Sequence, residues 1–468
     1  MNLYLVLLVS YAAVLMGLGL WIGRHVRSTG DFFVAGRRLG PGLLFSTMLA
    51  ANIGAGSTVN AAALGYADGL SAWWWIGSAG LGSIVLAWWV GPKIRRVAAE
   101  HDQKTVGDFL EHRYGSSVRA AVATLLWGGA LALLAAQFIG GAAILSVVAG
   151  IDRWVGCVIA GVVVTVYFTA GGLLTAAWIN MVQLVVLLGG FGLVVPLALS
   201  GVGGWDSVVA ATRDYEGYWN PWQGGGSGWF YLVMLGPAFI VSPGLLQKIY
   251  GARDDRAVRV GVMATGVVLL LFAVVPPLLG MMLRSVMPDL SSPVLALPTL
   301  FVEVLPPVVG AVGLAALFSA EVSSADAILF MLATSLSQDL YRRFARPHAT
   351  DADVLRAARV AAIAGGVLAT ALAVVADTIV SALSFFYTVM TVSLFVPVIA
   401  GLYTRRLQTP EALTSIAAGV LVGVVVQVAT GGVGVGGFTP AMLGLGAAGL
   451  AAGVVTVARS QQTRDLRD

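Results

Sequence analysis

Charge, cysteine and histidine are all scarce in this sequence, and each shortage excludes a class of protein. Only 11% of the 468 residues are charged, far below the roughly one quarter that is typical of soluble domains. The single cysteine, Cys157, excludes an internal disulfide and a cysteine metal cluster. The histidines fall in hydrophilic connections, which excludes an intramembrane HExxH metal site; they are His25, His101, His112 and His348. We therefore expect no resident metal centre and no cofactor.

Hydrophobic residues make up 58% of the chain, and the mean hydropathy is +0.89. This composition predicts an all-α integral membrane protein embedded in a lipid bilayer. The isoelectric point near 9.3 does not indicate nucleic-acid binding, because the basic residues are scattered between hydrophobic segments instead of forming one patch. Anionic lipid headgroups explain the basic residues better.

A bilayer core of roughly 30 Å needs about 20 helical residues, and the sequence contains thirteen apolar stretches of suitable length. They are predicted as spans at 2–23, 41–64, 70–91, 117–149, 154–174, 178–200, 229–250, 258–283, 306–337, 355–376, 379–403, 412–430 and 440–458. An N-terminus outside the cell places every one of the 27 basic residues on the cytoplasmic side except Arg153, Arg213 and Arg284. We therefore expect a multi-pass protein of the inner (plasma) membrane with a cytoplasmic C-terminus. The longest external connection, 201–228, is either a lid or an aromatic anchor at the interface.

Two spans carry residues that interrupt helices. Span two contains Gly54 and Gly56 at mid-membrane, and span seven contains Gly236-Pro237 followed by Ser242-Pro243-Gly244. Two interrupted helices five spans apart suggest an inverted repeat of five plus five helices, with a binding site where the interruptions meet. The alternative is a pair of tolerated kinks in a packed bundle.

The ninth span contains the most polar intrusion, the segment from Ala320 to Asp326. At 100° per residue, Ala320, Ser323 and Ser324 share one helical face, and the carboxylates of Glu321 and Asp326 lie on either side of it. Hydroxyl oxygens, together with carbonyls of an unwound helix, suit a hard cation such as sodium. Alternatively, the hydroxyls bond back to their own helix.

Several motifs, in order and on this topology, resemble the sodium:solute symporter family, whose members carry sugars, proline, short carboxylates, sialic acid, iodide and similar solutes with sodium. The motifs are GDFFVAGRR at 30–38, TVGDFLEHRYG at 105–115, TAGGL at 169–173 with Trp178 and Gln183, PGLLQK at 243–248 and DLY at 339–341. The resemblance implies the inverted-repeat fold with one extra helix before it and two after. We expect one transporter domain over 1–468, divided into an extra first helix and linker (1–40), a first repeat (41–200), a second repeat (201–405) and two extra helices with a short cytoplasmic tail (406–468).

The resemblance also implies a sodium site. The family's carbonyl ligands in the broken second span fall on Ala50 and Ile53, and its ninth-span pattern falls on Ala320, Ser323 and Ser324. Sodium would be the coupling ion and the one metal bound.

Two positions depart from the family pattern. Many members have an aspartate just after the tryptophan of span six, where this chain has Asn180, and a hydroxyl where it has Asp326. We hypothesise that Asp326 with Asn180 forms a second cation or proton site; the alternative is a structural role for Asp326. Glu321 either makes a hydrogen bond between helices while protonated or has a functional role that the sequence does not specify.

The predicted solute is small, partly apolar and not a sugar. Sugar-carrying members line the pocket with a glutamate and a glutamine where this chain has Ile76 and Ser57, so hexose hydroxyls would be left unpaired. A carboxylate or amino-acid-like compound fits better. The candidate walls of the pocket, each of which could instead be ordinary packing, are Ser57, Trp75, Gln137, Phe239, Phe386 and Tyr387.

These observations together predict a sodium-coupled secondary symporter that imports a small organic solute by alternating access. A proton-coupled symporter of the same fold is the nearest alternative, because Glu321 and Asp326 can both titrate. A transport-inactive membrane sensor is a further alternative. An enzyme is not expected, because no histidine or cysteine lies near Ser323 to activate it.

Overall fold

The computed structural model describes residues 3–23, 35–168, 173–376 and 378–465. Much of the motif at 30–38 and most of the motif at 169–173 lie outside the described residues, as does the side chain of Trp178. The described chain is almost entirely helical, as the composition predicts. Its helices are α1 (Leu3–Gly23), α2 (Pro41–Asn52), α3 (Ala61–Asp68), α4 (Trp73–Val85), α5 (Gly91–Glu100), α6 (Val106–Tyr114), α7 (Ser116–Ala149), α8 (Arg153–Phe168), α9 (Leu173–Gly201), α10 (Trp205–Thr212), α11 (Tyr231–Val241), α12 (Pro243–Tyr250), α13 (Asp255–Phe272), α14 (Val275–Val286), α15 (Ala296–Thr299), α16 (Pro307–Thr334), α17 (Asp351–Val375), α18 (Ile379–Tyr403), α19 (Thr409–Ala429) and α20 (Pro440–Asp465).

Ten continuous helical stretches of the described residues are long and apolar enough to cross a membrane. Three shorter apolar stretches, Leu3–Leu15, Arg153–Val166 and Pro293–Val304, accompany them. The longest stretches join neighbouring elements through π-helical turns, such as Ser335–Ala345, which extends α16. Many membrane-crossing helices are confirmed, and the count of thirteen stays a prediction.

The interruption predicted in span two is present. Helix α2 ends at Asn52, and Ile53 is extended, with φ −107° and ψ 100°. The chain then enters a π-helical turn, Gly56–Asn60, before α3 begins. The extended residue rotates its carbonyl away from the helix axis, so the interruption presents backbone oxygen inside the bundle.

The interruption predicted in span seven lies at one of its two proposed positions. Helix α11 ends at Val241, and Ser242 leaves the helical region with φ −53° and ψ 119° before Pro243 begins α12. The break expected at Gly236-Pro237 is wrong, because α11 continues through Pro237. In the turn before Pro237, Thr391 of α18 donates its hydroxyl hydrogen to the Met234 carbonyl at 3.1 Å.

The connection at 201–228 packs over the junction of α3 and α4. It contains α10 and a two-residue antiparallel hairpin, β1 (Gln223–Gly224) with β2 (Ser227–Gly228). Tyr218 is buried and donates to the carbonyl of Gly65 at 2.8 Å, while Ser227 donates to Asp68 at 2.6 Å. Trp222 remains 62% exposed. The connection is therefore fastened to the bundle and still presents aromatic surface outside it.

A buried ion cluster lies at the N-terminal end of α7. The guanidinium of Arg119 lies 2.8 Å from carboxylate oxygens of Asp108, Glu111 and Asp339. Thr105 donates to Asp339 at 2.6 Å and also caps α6. The cluster joins α6 and α7 to the π-helical turn after α16, so it connects distant parts of the sequence on one face of the bundle.

Candidate sodium and solute site

The interruption after α2 lies against the hydroxyl face of α16. The Ser323 hydroxyl donates to the Ala50 carbonyl at 3.2 Å, and the Ser324 hydroxyl lies 3.4 Å from the Ala51 carbonyl. Ser323 also contacts the Ala320 carbonyl, at 3.1 Å, in its own helix. Ser323 therefore bonds back to its own helix, as the alternative interpretation predicts, and also contacts α2, while its role as a sodium ligand stays a prediction.

This contact depends on a close backbone approach at Gly54. A Cβ at that position would lie 2.5 Å from both the Ser324 Oγ and the Gln137 Oε1. Gln137 uses the same oxygen to accept a hydrogen bond from the Ala55 amide at 2.8 Å. Glycine thus lets α7 and α16 reach the interruption, and Gln137 supplies an acceptor for a backbone amide that the broken helix frees.

The oxygens near this contact are those that a hard cation prefers. The Ser323 hydroxyl lies within hydrogen-bonding distance of the carbonyls of Ala50 and Ala320. The extended residue Ile53 follows Ala50 in the chain, at the end of α2. Ala50, Ile53, Ala320, Ser323 and Ser324 are all buried. A sodium ion here would replace weak hydroxyl–carbonyl contacts with direct coordination by the same neutral oxygens.

Glu321 lies on the far side of the interruption from Ser323. Its Oε1 is 3.3 Å from the hydroxyl of Thr58, which donates to the Gly54 carbonyl at 2.8 Å. Gly140 of α7 packs against the same carboxyl group, since a Cβ there would lie 2.8 Å from the Glu321 Oε2. Glu321 thus connects α16 to the start of the second half of the broken helix.

The proposed partners of a second site occupy buried positions on neighbouring helices. Asn180 of α9 donates to the Thr47 hydroxyl of α2 at 3.5 Å. Asp326 is 3% exposed on α16, one turn beyond Ser323. Their pairing around an ion stays a prediction.

Most of the predicted pocket walls form one aromatic cluster, defined here as Trp75, Tyr231, Phe239, Phe386 and Tyr387. Trp75 meets Tyr231 edge to face with ring centroids 5.0 Å apart, and Tyr387 lies 5.6 Å from Phe239 and 5.4 Å from Phe386. The cluster joins α4, α11 and α18. The cluster lies next to the interruption after α2, because a Cβ at Gly56 would lie 3.8 Å from the Trp75 Nε1.

Two predicted walls have other roles in this conformation. The Ser57 hydroxyl donates to the Asn52 carbonyl at 2.5 Å, and Gln137 accepts from Ala55. The Ser57 hydroxyl and the Gln137 Oε1 therefore both hold the interrupted backbone.

Comparison with known proteins agrees with this architecture. The sequence model of the sodium:solute symporter family matches residues 32–423. The chain belongs to the sodium:solute symporter family. The resemblance drawn from the motifs is thereby confirmed. As a sodium:solute symporter, the chain is a multi-pass membrane transporter of a class that uses Na⁺ as its coupling ion.

Relatives within this class differ in their solutes. The sodium/pantothenate symporter of Escherichia coli is 28% identical over 358 residues, covering 71% of each chain. A high-affinity choline transporter of Caenorhabditis elegans is 24% identical over 459 residues, covering 89% of this chain and 76% of that one. A solved Na⁺-coupled sialic acid symporter, in a substrate-bound outward-open state, matches with a TM-score of 0.82 over 97% of both chains at 16% identity, which establishes the shared fold.

Two residues of the candidate site in this sodium:solute symporter were not predicted from the sequence. Tyr231 lies at the start of α11, where an aromatic residue suggests an anchor at the membrane interface, yet its ring packs on Trp75. Thr58 belongs to the polar run that marks the interruption, and its position four residues after Gly54 was the available signal.

Proposed function

We propose that the chain is a sodium-coupled symporter that imports a small organic solute by alternating access. The observation that carries the proposal is the contact of the Ser323 hydroxyl with the Ala50 carbonyl at the interruption after α2. It brings together oxygens from the two predicted repeats, 41–200 and 201–405, where neutral ligands suit a sodium ion that must later be released.

Sodium at this position would hold the two repeats together in one arrangement. The free energy of sodium binding would stabilise the arrangement that binds solute, so sodium raises the affinity for solute. By linkage, solute raises the affinity for sodium by the same factor. The sodium gradient would then drive uptake against a solute gradient.

The aromatic cluster supports an amino-acid-like solute with a cationic or methylated ammonium group. Aromatic faces attract such cations while offering few hydrogen bonds to sugar hydroxyls. Ile76 is buried and apolar, and the hydroxyl of Ser57 is engaged by Asn52. These features support the choice of a small carboxylate or amino-acid-like compound over a hexose.

We further propose that Asp326 with Asn180 forms a second cation or proton site. The proposal rests on the burial of both side chains on helices next to the sodium half-site. Ion-to-solute stoichiometry in the Asp326→Asn variant tests it. The expected result is one fewer ion per solute; wild-type stoichiometry and affinity would contradict the second site.

Uptake into proteoliposomes under separately imposed gradients tests the main proposal. A candidate solute should accumulate under an inward sodium gradient at equal pH, and an inward proton gradient without sodium should not replace it. Accumulation that is indifferent to sodium would reject sodium coupling. Accumulation driven by the proton gradient alone would support the proton-coupled alternative.

The solute can be found by thermal-shift screening of the purified protein. Small carboxylates, amino acids, methylated ammonium compounds and hexoses should be compared with and without sodium. An amino-acid-like ligand is expected to raise the melting temperature, and to raise it further in sodium, because the two bind the same arrangement. Stabilisation by hexoses alone would contradict the proposed solute class.

A further inference from the structure

An open groove of about 740 Å³ lies between the π-helical turn Ser335–Ala345, which extends α16, and the first turns of α17. Its apolar walls are Leu336, Leu340, Phe344, Ala357 and Val360. Phe344 is 46% exposed and Val360 is 60% exposed, so both sides of the groove present apolar surface outside the packed bundle. Exposed apolar surface in a groove marks a place where lipid or an apolar ligand binds.

The apolar surface continues from the groove along α17. Val360, Ile363, Val367 and Leu368 are all exposed, and their helical spacing places them on one face. Residues 360–376 contain no charged side chain. This stretch belongs to the predicted tenth span, so the exposed face of α17 borders the hydrocarbon of the bilayer. An acyl chain that lies along this face would enter the groove at Val360.

Two arginines line the end of the groove that is farther from the predicted bilayer core. Arg356 precedes Val360 by about one helical turn, and Arg346 follows the last residue of the π-helical turn. Both side chains are exposed. Residues 342–359 contain five arginines against two aspartates, an excess of three positive charges. The groove therefore combines an apolar floor with a basic rim.

The one carboxylate among the described lining residues does not pair closely with these arginines. The Arg356 guanidinium lies 3.9 Å from Asp353, at the outer limit of an ion pair. Asp353 accepts hydrogen bonds from the Thr350 amide at 3.1 Å and from the Thr350 hydroxyl at 2.7 Å, so its oxygens cap α17. Arg346 has no ion-pair partner in the described ranges. The basic rim can therefore bind a further anion.

The two ends of the groove match the two parts of a phospholipid. Guanidinium groups make charge-assisted hydrogen bonds with phosphate oxygens, and apolar walls bind hydrocarbon. The predicted topology places residues 338–354 in the cytoplasm, and anionic headgroups of the cytoplasmic leaflet attract basic residues there. A soluble anion would use the arginines but would leave the apolar walls uncovered.

We propose that this groove binds one anionic phospholipid, with its phosphate held by Arg346 and Arg356 and an acyl chain against Phe344 and Val360. The lipid contacts both the π-helical turn and α17, so it joins them. The same turn carries Asp339 of the buried ion cluster. Lipid therefore stabilises this end of α16 from the outside, as the ion cluster does from the inside. The site goes beyond the proposed symport and depends on neither the coupling ion nor the solute.

Lipid titrations of the purified, delipidated protein in detergent test this site. The melting temperature should be followed against added phosphatidylglycerol, phosphatidylcholine and glycerol phosphate. We expect phosphatidylglycerol to raise the melting temperature by at least about 3 °C, because it binds the folded state. Phosphatidylcholine should act much more weakly, since its headgroup carries no net charge. Glycerol phosphate should have no effect at the same concentrations, since it lacks acyl chains.

Variants of the groove should weaken lipid binding without affecting the lipid-free protein. In the double variant Arg346→Gln/Arg356→Gln, the half-saturating phosphatidylglycerol concentration should rise at least about tenfold. Phe344→Ser should raise it at least about threefold, because the acyl chain loses an apolar contact. The matched control Arg256→Gln/Arg405→Gln removes two exposed arginines elsewhere on the predicted cytoplasmic side and should keep the wild-type value. All the altered side chains are exposed, so without lipid the variants should melt at the wild-type temperature.

The contrary results each overturn the lipid site. A wild type that is indifferent to phosphatidylglycerol, or a double variant that binds it equally well, would show that the two arginines hold no headgroup. An equal loss in the control variant would show attraction by overall charge. Equal stabilisation by phosphatidylcholine would exclude an anionic headgroup, and stabilisation by glycerol phosphate would make the ligand a soluble anion. A lipid-free dimer in native mass spectrometry that the double variant abolishes would make the groove an interface between two copies.

Discussion

The side-chain oxygen of Gln137 accepts a hydrogen bond from the backbone amide of Ala55 at 2.8 Å. This side-chain oxygen replaces the backbone carbonyl that would accept from the Ala55 amide in an unbroken helix. We predict that Gln137→Leu leaves this amide unsatisfied and lowers the free energy of unfolding by about 1–3 kcal/mol. Thermal unfolding in detergent measures the effect, and Gln427→Leu, near the partly exposed end of α19, should change stability far less. Equal losses in the two variants would contradict this role for Gln137.

The Ser323 hydroxyl should matter for sodium more than for folding. We predict that Ser323→Ala raises the half-saturating sodium concentration about tenfold, equivalent to about 1.4 kcal/mol, because one ligand is lost. Ser393→Ala is the matched control, since that buried hydroxyl bonds within its own helix, to the Val389 carbonyl at 2.7 Å. Sodium-dependent thermal stability measures both variants. The same sodium dependence in the two would remove Ser323 from the ion site.

Glycine at position 54 permits the close contact among α2, α7 and α16. We predict that Gly54→Ala forces Ser324 and Gln137 apart, with a destabilisation of about 1–3 kcal/mol and weakened sodium binding. Gly128→Ala, on α7, is the control because a Cβ there has no neighbour within 4 Å. That variant should be neutral or slightly stabilising, as alanine favours helix. The prediction fails if Gly54→Ala matches the control in melting temperature and sodium response.

Arg119 is predicted to be the most sensitive cation of the described structure. It is 6% exposed and contacts three carboxylates, so Arg119→Gln would leave the buried carboxylate of Asp339 without its cation. The expected loss in the free energy of unfolding is about 3–5 kcal/mol. Arg356→Gln removes a guanidinium from a side chain that is 78% exposed and should cost less than about 0.5 kcal/mol. Comparable melting temperatures for the two variants would show that the Arg119 cluster is not stabilising.

The predicted orientation can be tested by labelling introduced cysteines in intact cells. Cys157 is buried, so the natural chain provides a low background. We expect Trp222→Cys, in the exposed part of the 201–228 connection, to react with a membrane-impermeant maleimide from outside. Arg405→Cys, between α18 and α19, should react only after the membrane is permeabilised. The reverse pattern would invert the proposed topology.

Local sequence chemistry was sufficient where the backbone itself decides the structure. Gly54 and Gly56 marked the first interruption, and Pro243 marked the second, because these residues act on their own helix. The hydroxyl face of α16 followed from helical periodicity alone. The family motifs then fixed the fold class, because they occur in the right order on that topology.

Contacts between distant helices could not be predicted in the same way. Pro237 was expected to break α11, but α11 continues through it; Thr391 from α18 donates to the Met234 carbonyl in the preceding turn, and nothing in the local sequence identifies that donor. Gln137 stays a candidate wall of the solute pocket, and nothing in the local sequence indicates that its oxygen accepts a hydrogen bond from the Ala55 amide. The contact of Glu321 with Thr58 could not be predicted from the local sequence either, since Thr58 precedes it by 263 residues.

The separation of Ala50 and Ser323 in the chain, 273 residues, has a consequence for biosynthesis. At an elongation rate of about 5 to 20 residues per second, the ribosome needs roughly 10 to 60 s to travel from one to the other. During that interval α2 has been translated without the helix against which its interruption packs. The contact between Ala50 and Ser323 therefore forms only after α16 has been translated, and a nascent chain stalled before α16 lacks the hydroxyls that face the interruption.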